Sequence, residues 1–208
     1  MRKINLILVC WLLLLSLCFA DSAGQRRVHY PKNADDITAF VEVFSQINFS
    51  VNDASKYLGV VNKANHDDGF YPGDFSILLT PFPSDQGEIK RVVLDKGVDG
   101  RKLDAVQIDY LKPVSISYGE LREKYGAPGY LKPPAALCAR HAVNCPPAFV
   151  GYSFSFMPDR ESLATGKRLE VAINLEMEWS KEVPHHSDKD FLVVKAIRFK
   201  RIWRDQED

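Results

Sequence analysis

Four groups of side chains in this sequence have the types that could do chemistry. Cys138, His141 and Cys145 stand in a C-x2-H-x3-C spacing, and thiolates with an imidazole are zinc-ligand types. Only three such ligands are local, and Pro133, Pro134, Pro146 and Pro147 flank them, so a disulfide between Cys138 and Cys145 fits better than a metal. His185, His186, Asp188 and Asp190 fall between two candidate strands. Adjacent histidines point in different directions in an extended chain, so a joint site there needs a special turn, and a solvated loop is the simpler reading. His66, Asp67 and Asp68, with Asp74 nearby, lack the alternating oxygen pattern of a calcium loop. Gly151-Tyr152-Ser153-Phe154-Ser155 begins like a nucleophile elbow, but it has no closing glycine and opens a strand instead of ending one. Walker, dinucleotide and HExxH patterns are missing. The sequence therefore nominates no catalytic residue, no metal and no cofactor.

The compartment bears on this chemistry. Arg2 and Lys3 precede an apolar run from Ile4 to Phe19, and Cys18-Phe19-Ala20 offers small residues to a signal peptidase. The run reads as a secretory signal cleaved after Ala20, and an uncleaved anchor is the alternative. Export places the chain in the periplasm or outside the cell, where Cys138 and Cys145 are expected to pair. Closing so short a ring stabilises by about 2.5 kcal/mol, so the fold must rest on a hydrophobic core. The signal removes two basic residues and no acidic ones from an equal balance, which leaves the mature chain slightly acidic. That gives no support to nucleic-acid binding, and no membrane span is expected after cleavage.

The elements that would position these groups follow. Residues 21–48 form a polar leader and then an amphipathic helix capped by Asn33, with Ile37, Phe40, Val41 and Phe44 on one face. Ser117 and Glu120 hold capping-box spacing, Ile116 and Leu121 form a staple, and Gly126 and Pro128 stop the helix. Ser50, Asp53 and Gly59 repeat that pattern. Each short helix precedes three candidate strands: 75–81, 89–94 and 103–111, then 152–158, 169–179 and 191–203. FSILLTP and YSFSFMP align without a gap. From Leu169 to Trp179 apolar and polar residues alternate strictly, and the acidic outer face there suits the basic Arg198 and Lys200 of the last strand. The expectation is an α+β fold: an N-terminal helix, then two repeats of a short helix plus a three-stranded antiparallel sheet. The repeats span 49–113 and 114–203, with a disulfide loop at 129–147 and a polar tail at 204–208.

NFSVNDASKYLG and ISYGELREKYGAP, each followed by antiparallel strands, resemble the small modules of β-lactamase-inhibitor-protein-like folds. They are also similar to outer-membrane assembly lipoproteins of the SmpA/OmlA type. The likeness covers about residues 49–203 and implies protein binding at the cell envelope. The chain departs in having no lipobox, since Leu17 precedes Cys18 and Val9 precedes Cys10. The functional expectation is an exported, non-enzymatic protein-binding module that meets another envelope or secreted protein. It would act as an inhibitor, immunity factor or assembly factor, with Phe70, Tyr71 and Tyr130 as candidate contacts because they are loop aromatics. The alternative is an envelope metal-dependent hydrolase, which needs His66, His141, His185 and His186 to converge with the loop carboxylates.

Overall fold

The computed structural model describes residues 30–61, 76–97, 103–132, 149–158, 161–162, 167–180 and 184–205. Helix α1 (Ala34–Phe44) starts where the Asn33 side chain accepts the Asp36 N–H at 2.8 Å. Its buried stripe is Ile37, Phe40, Val41 and Phe44, the period expected of one helical face. Helix α2 (Val51–Leu58) carries a full capping box, in which Ser50 Oγ accepts from Asp53 N and the Asp53 carboxylate accepts from Ser50 N. It ends at Gly59, whose φ of 135° and approach to the Thr80 carbonyl leave no room for a Cβ. Helix α3 (Tyr118–Tyr125) begins where Ser117 Oγ accepts the Glu120 N–H at 3.3 Å, and the staple residues Ile116 and Leu121 are both fully buried.

The strands are β1 (Val60–Val61), β2 (Ser76–Thr80), β3 (Ile89–Lys96), β4 (Leu103–Ser117), β5 (Gly129–Leu131), β6 (Phe149–Phe156), β7 (Glu161–Ser162), β8 (Lys167–Ser180) and β9 (Phe191–Asp205). They form one antiparallel sheet in the order β1-β2-β3-β4-β9-β8-β6-β5, with β7 paired to β8 off that path. This corrects the expected fold class. There are not two helix-plus-sheet repeats, each with its own three-stranded sheet. A single sheet dominates, and among the described residues only three short helices accompany it. The cause is the β4–β9 seam, where Val106 faces Phe199 and Ile108 faces Ile197. Two separate sheets would each leave a long apolar edge strand open to solvent, and pairing those edges removes both.

β4 also outruns its expected end at Leu111. Between the pairs Asp109↔Ala196 and Val114↔Val194, four residues of β4 stand against one of β9, and Pro113 sits in that bulge. A proline is tolerated there because no ladder bond is required of it.

One face of the sheet carries the core. Phe40 and Phe44 of α1 lie over Phe199 of β9, with ring centroids 4.6 Å and 6.3 Å away. Tyr30, which the sequence reading grouped with the polar leader, is buried here, and its hydroxyl donates to the Leu58 carbonyl. Arg201 enters the same layer from β9. Its guanidinium donates to the carbonyls of Phe44, Gln46 and Leu103 and stacks 4.8 Å from the Phe44 ring centre. The cation thereby satisfies carbonyls at and beyond the C-terminal end of α1.

Candidate functional site

Two surfaces could serve a function, and they differ in how far their polar groups are already used. The first is the sheet face away from the helices. Across it run the registers Glu176–Ala196–Asp109–Arg91, Ser153–Asn174–Arg198–Gln107–Val93 and Ser155–Ala172–Lys200–Ala105–Asp95–Ser76. Most of its charges pair internally. Asp109 accepts from Arg91 and from Gln107, Asp95 accepts from Arg198 and Ser76, and Glu170 accepts from Arg204 and Ser155. Lys195 pairs with Glu178 at 2.8 Å and Arg204 with Glu170, so β8 and β9 do exchange charge, but Arg198, expected to face an acid of β8, stands opposite Asn174 and pairs with Asp95 of β3. The Arg204 and Ser155 bonds hold the Glu170 carboxyl below its ordinary range. Glu176 stays solvent-accessible, yet crowding by the neighbouring strands raises its carboxyl, with Asp109 adding to the rise and Arg198 and Arg91 opposing it. Arg198 Nε is buried there without a hydrogen-bond partner, but a face on which most charged groups already meet one another offers few free groups to a ligand.

The second surface is the corner where β5, β6, α3 and the 184–190 loop meet. Tyr118, Phe149, Tyr152, Tyr130 and His186 gather there. Tyr152 lies 5.4 Å from Tyr118, 5.0 Å from Phe149, 5.8 Å from Tyr130 and 5.7 Å from His186, ring centre to ring centre. Phe149 and Tyr152 are buried at the base, whereas Tyr130 is 58% exposed on β5, an edge strand of the described sheet. Burial, with Tyr118 and Tyr130 beside it, pushes the Tyr152 hydroxyl up to about 12, so it remains a donor to the Pro184 carbonyl at 3.1 Å.

The 184–190 loop is tied down on α3 at several points. Tyr118 N donates to the Asp190 carbonyl at 3.0 Å, and Arg122 pairs with Asp188 at 2.7 Å. Within the loop, Ser187 N donates to the Asp190 carboxylate at 2.7 Å, and Asp190 N donates back to the Ser187 carbonyl. The backbone bond from Ser187, followed by its side chain and His186, lowers the Asp190 carboxyl. Beside this junction lies a shallow cleft of about 480 Å³ lined by Ser117, Gly119, Glu120, Arg122, Glu123 and Asp188. Gly119 permits the close fit, since a Cβ there would stand 2.2 Å from the Asp188 carbonyl oxygen. Gly119→Ala is therefore expected to lift the loop off α3, at a cost of about 1 kcal/mol or ~2–4 °C in Tm. Exchange of the Tyr118 amide should also accelerate, which hydrogen exchange would read directly.

Of the sequence candidates, the structure brings Tyr130 and His186 into one cluster. His185 is exposed, Asp188 serves Arg122, and Asp190 serves Ser187, so the loop's four members make no joint site. Among the described residues no group of three or more His, Cys, Asp or Glu side chains could hold a metal ion. Phe70, Tyr71, His66, Asp67, Asp68, Asp74, Cys138, His141 and Cys145 lie outside the described residues, and so does the expected signal segment. Ser153 and Ser155 are interior to β6 and donate to Asn174 and Glu170, which is structural use and not nucleophilic use. Sequence reasoning missed Tyr118, Phe149 and Tyr152. Their only signal was an aromatic at the start of α3 and two more, three residues apart, in β6. No helix among the described residues is long and apolar enough to cross a membrane. No family model, curated protein or solved structure matches this chain.

Proposed function

We propose that this chain is an exported, non-enzymatic protein-binding module whose contact surface is the aromatic corner around Tyr130. The observation that supports the reading is the standing of Tyr130 itself. It is a large side chain, mostly exposed, seated on an edge strand and backed by a buried aromatic base. Tyrosines so supported lose little entropy on binding and are enriched at interface hot spots. Among the described residues no strand pairs with the outer side of β5, and an edge of that kind offers backbone groups for strand addition, a recurrent recognition mode. The partner class in this reading is another envelope or secreted protein.

Capture from an envelope extract tests it. The mature chain should retain a partner that Tyr130→Ala loses by tenfold or more, roughly the effect of removing a hot-spot residue. Val60→Ser changes another exposed apolar side chain, on β1 at the far edge, and should retain that partner at the wild-type level. Equal capture by Tyr130→Ala and wild type would overturn the reading.

A further inference from the structure

We infer that the chain docks on anionic lipid surfaces through one end of its outer sheet face, where Phe191, Val193 and Leu111 enter the headgroup layer and Lys112 and Lys189 meet lipid phosphates. Leu192 and Val194 are fully buried on the helix side. By the two-residue period of a strand, Phe191 and Val193 therefore stand on the other side, where they are 63% and 49% exposed. Their β4 neighbours in the ladder are Ser117 and Ser115, which are too small to cover them. Leu111 is 56% exposed in the bulge just before those serines, and Lys112 and Pro113 beside it are exposed as well. The middle of the same face presents paired charges and alanines, so these apolar side chains form a patch apart. The patch stands on fixed backbone. Leu111 N donates to the Glu88 carbonyl at 2.7 Å, and Tyr118 N donates to the Asp190 carbonyl just ahead of Phe191. A surface fixed in advance loses little freedom when it binds.

The charges around the patch select the occupant. Lys112 adjoins Leu111 and Lys189 precedes Phe191 by two residues; both are exposed and have no ion-pair partner among the described residues. The acids close by are already engaged. Asp188 pairs with Arg122, Glu178 with Lys195 and Glu88 with Lys32, while the Asp190 carboxylate is held by Ser187. Glu120 and Glu123 belong to α3, on the helix side of the sheet. The uncommitted charges at the patch are therefore positive. A second copy laid on it about a twofold axis would set lysine against lysine, which is unfavourable. An anionic bilayer reverses that sign. Its phosphates attract each lysine, the lysine stems reach along apolar surface to the headgroups, and the ring and aliphatic groups leave water. The whole chain balances 27 basic against 27 acidic side chains, so the attraction is local to this patch. The contact lies in the interface plane, and three apolar side chains with two cations make it reversible.

Co-sedimentation of the mature chain with vesicles tests this; the apolar run from Ile4 to Phe19 is left off because it would bind lipid by itself. Vesicles with about one third phosphatidylglycerol in phosphatidylcholine should hold about tenfold more chain than phosphatidylcholine alone. That binding should fall as salt rises from about 0.05 to about 0.3 M. Phe191→Ser should lower it about fivefold or more. Lys112→Gln together with Lys189→Gln should lower it about tenfold or more, since each lysine near such a surface contributes about fivefold. These positions are exposed, so the variants should melt within about 2 °C of the wild type. Val60→Ser, on β1 at the far edge, should bind as the wild type does. Equal binding by Phe191→Ser and the wild type would overturn the inference, and so would equal binding to neutral and anionic vesicles. A wild-type dimer in lipid-free sedimentation that Phe191→Ser dissociates would also overturn it, by giving the patch to a second copy. If Phe191→Ser fails to fold, the lysine pair decides, and undiminished binding there sinks the inference. These outcomes are separate from the capture experiment at Tyr130, whose ring packs with Tyr152 on the helix side.

Discussion

Arg201→Ala is expected to lower the unfolding free energy by about 3 kcal/mol, read as a shift in the urea midpoint with the slope unchanged. The side chain is only 4% exposed, and burial lowers its pKa to about 10, so it remains a cation at neutral pH. What keeps a cation there is a set of carbonyls, with the charge of Asp104 opposing the effect of burial. Phe44, Gln46 and Leu103 offer their oxygens, while the Phe44 and Phe49 rings lie 4.8 Å and 6.0 Å away. Truncation strands the Phe44 and Gln46 carbonyls at the negative end of the α1 dipole, and the Leu103 carbonyl of β4 with them. Arg201→Met separates the two contributions. It restores much of the apolar stem but none of the donors, and it should remain destabilised by about 2 kcal/mol. A methionine variant as stable as the wild type would show that packing, and not capping, explains the residue.

The largest expected loss is at Phe199. Phe199→Ala should cost about 4 kcal/mol, and thermal unfolding should show it as a drop on the order of 10 °C. The ring is fully buried, and it is the point where α1 meets the middle of the sheet, against Phe40 and Phe44. The phenylalanines of a helix and the backbone of two central strands surround the space it would leave, so little can move in to fill it. Phe199→Leu retains most of the volume and should cost about 1.5 kcal/mol or less. Near-equal losses in the two variants would mean that the aromatic contacts, not the volume, hold the layer together.

The helices were legible from the sequence because a helix is a local object. Asn33, Ser50 and Ser117 each accept the amide three residues on, as the cap spacing required. The strands were legible for a similar reason: Leu169, Val171, Ile173 and Leu175 are buried as the alternation required, although Glu170 and Ala172 on the other face are buried too. Which strand lies beside which was not legible. The face pattern of Val106 and Ile108 is satisfied equally by any apolar neighbour, and nothing near them in sequence points to Phe199 and Ile197. The full length of β4 was not legible either, since a bulge lets the strand continue past Leu111 and through Pro113. At the corner, the sequence argument that adjacent histidines diverge was sound: His185 is exposed and His186 is turned inward. The aromatic cage could not be foreseen, because Tyr118 and Tyr152 come from different elements that meet only when the sheet closes.

That closure has a kinetic consequence. The seam at the middle of the sheet joins β4 to β9, the last of the described strands in chain order, so Phe199, the anchor under α1, is absent until residues 191–205 have left the ribosome. Until then the early strands have an open edge and the helix has an incomplete bed. A chain of this topology does not settle domain by domain as it emerges. It waits, and pairing between such distant segments is intrinsically slow. Were the chain exported, as proposed, late closure would keep it unfolded for threading, because the strand that locks the fold is the last described strand to cross.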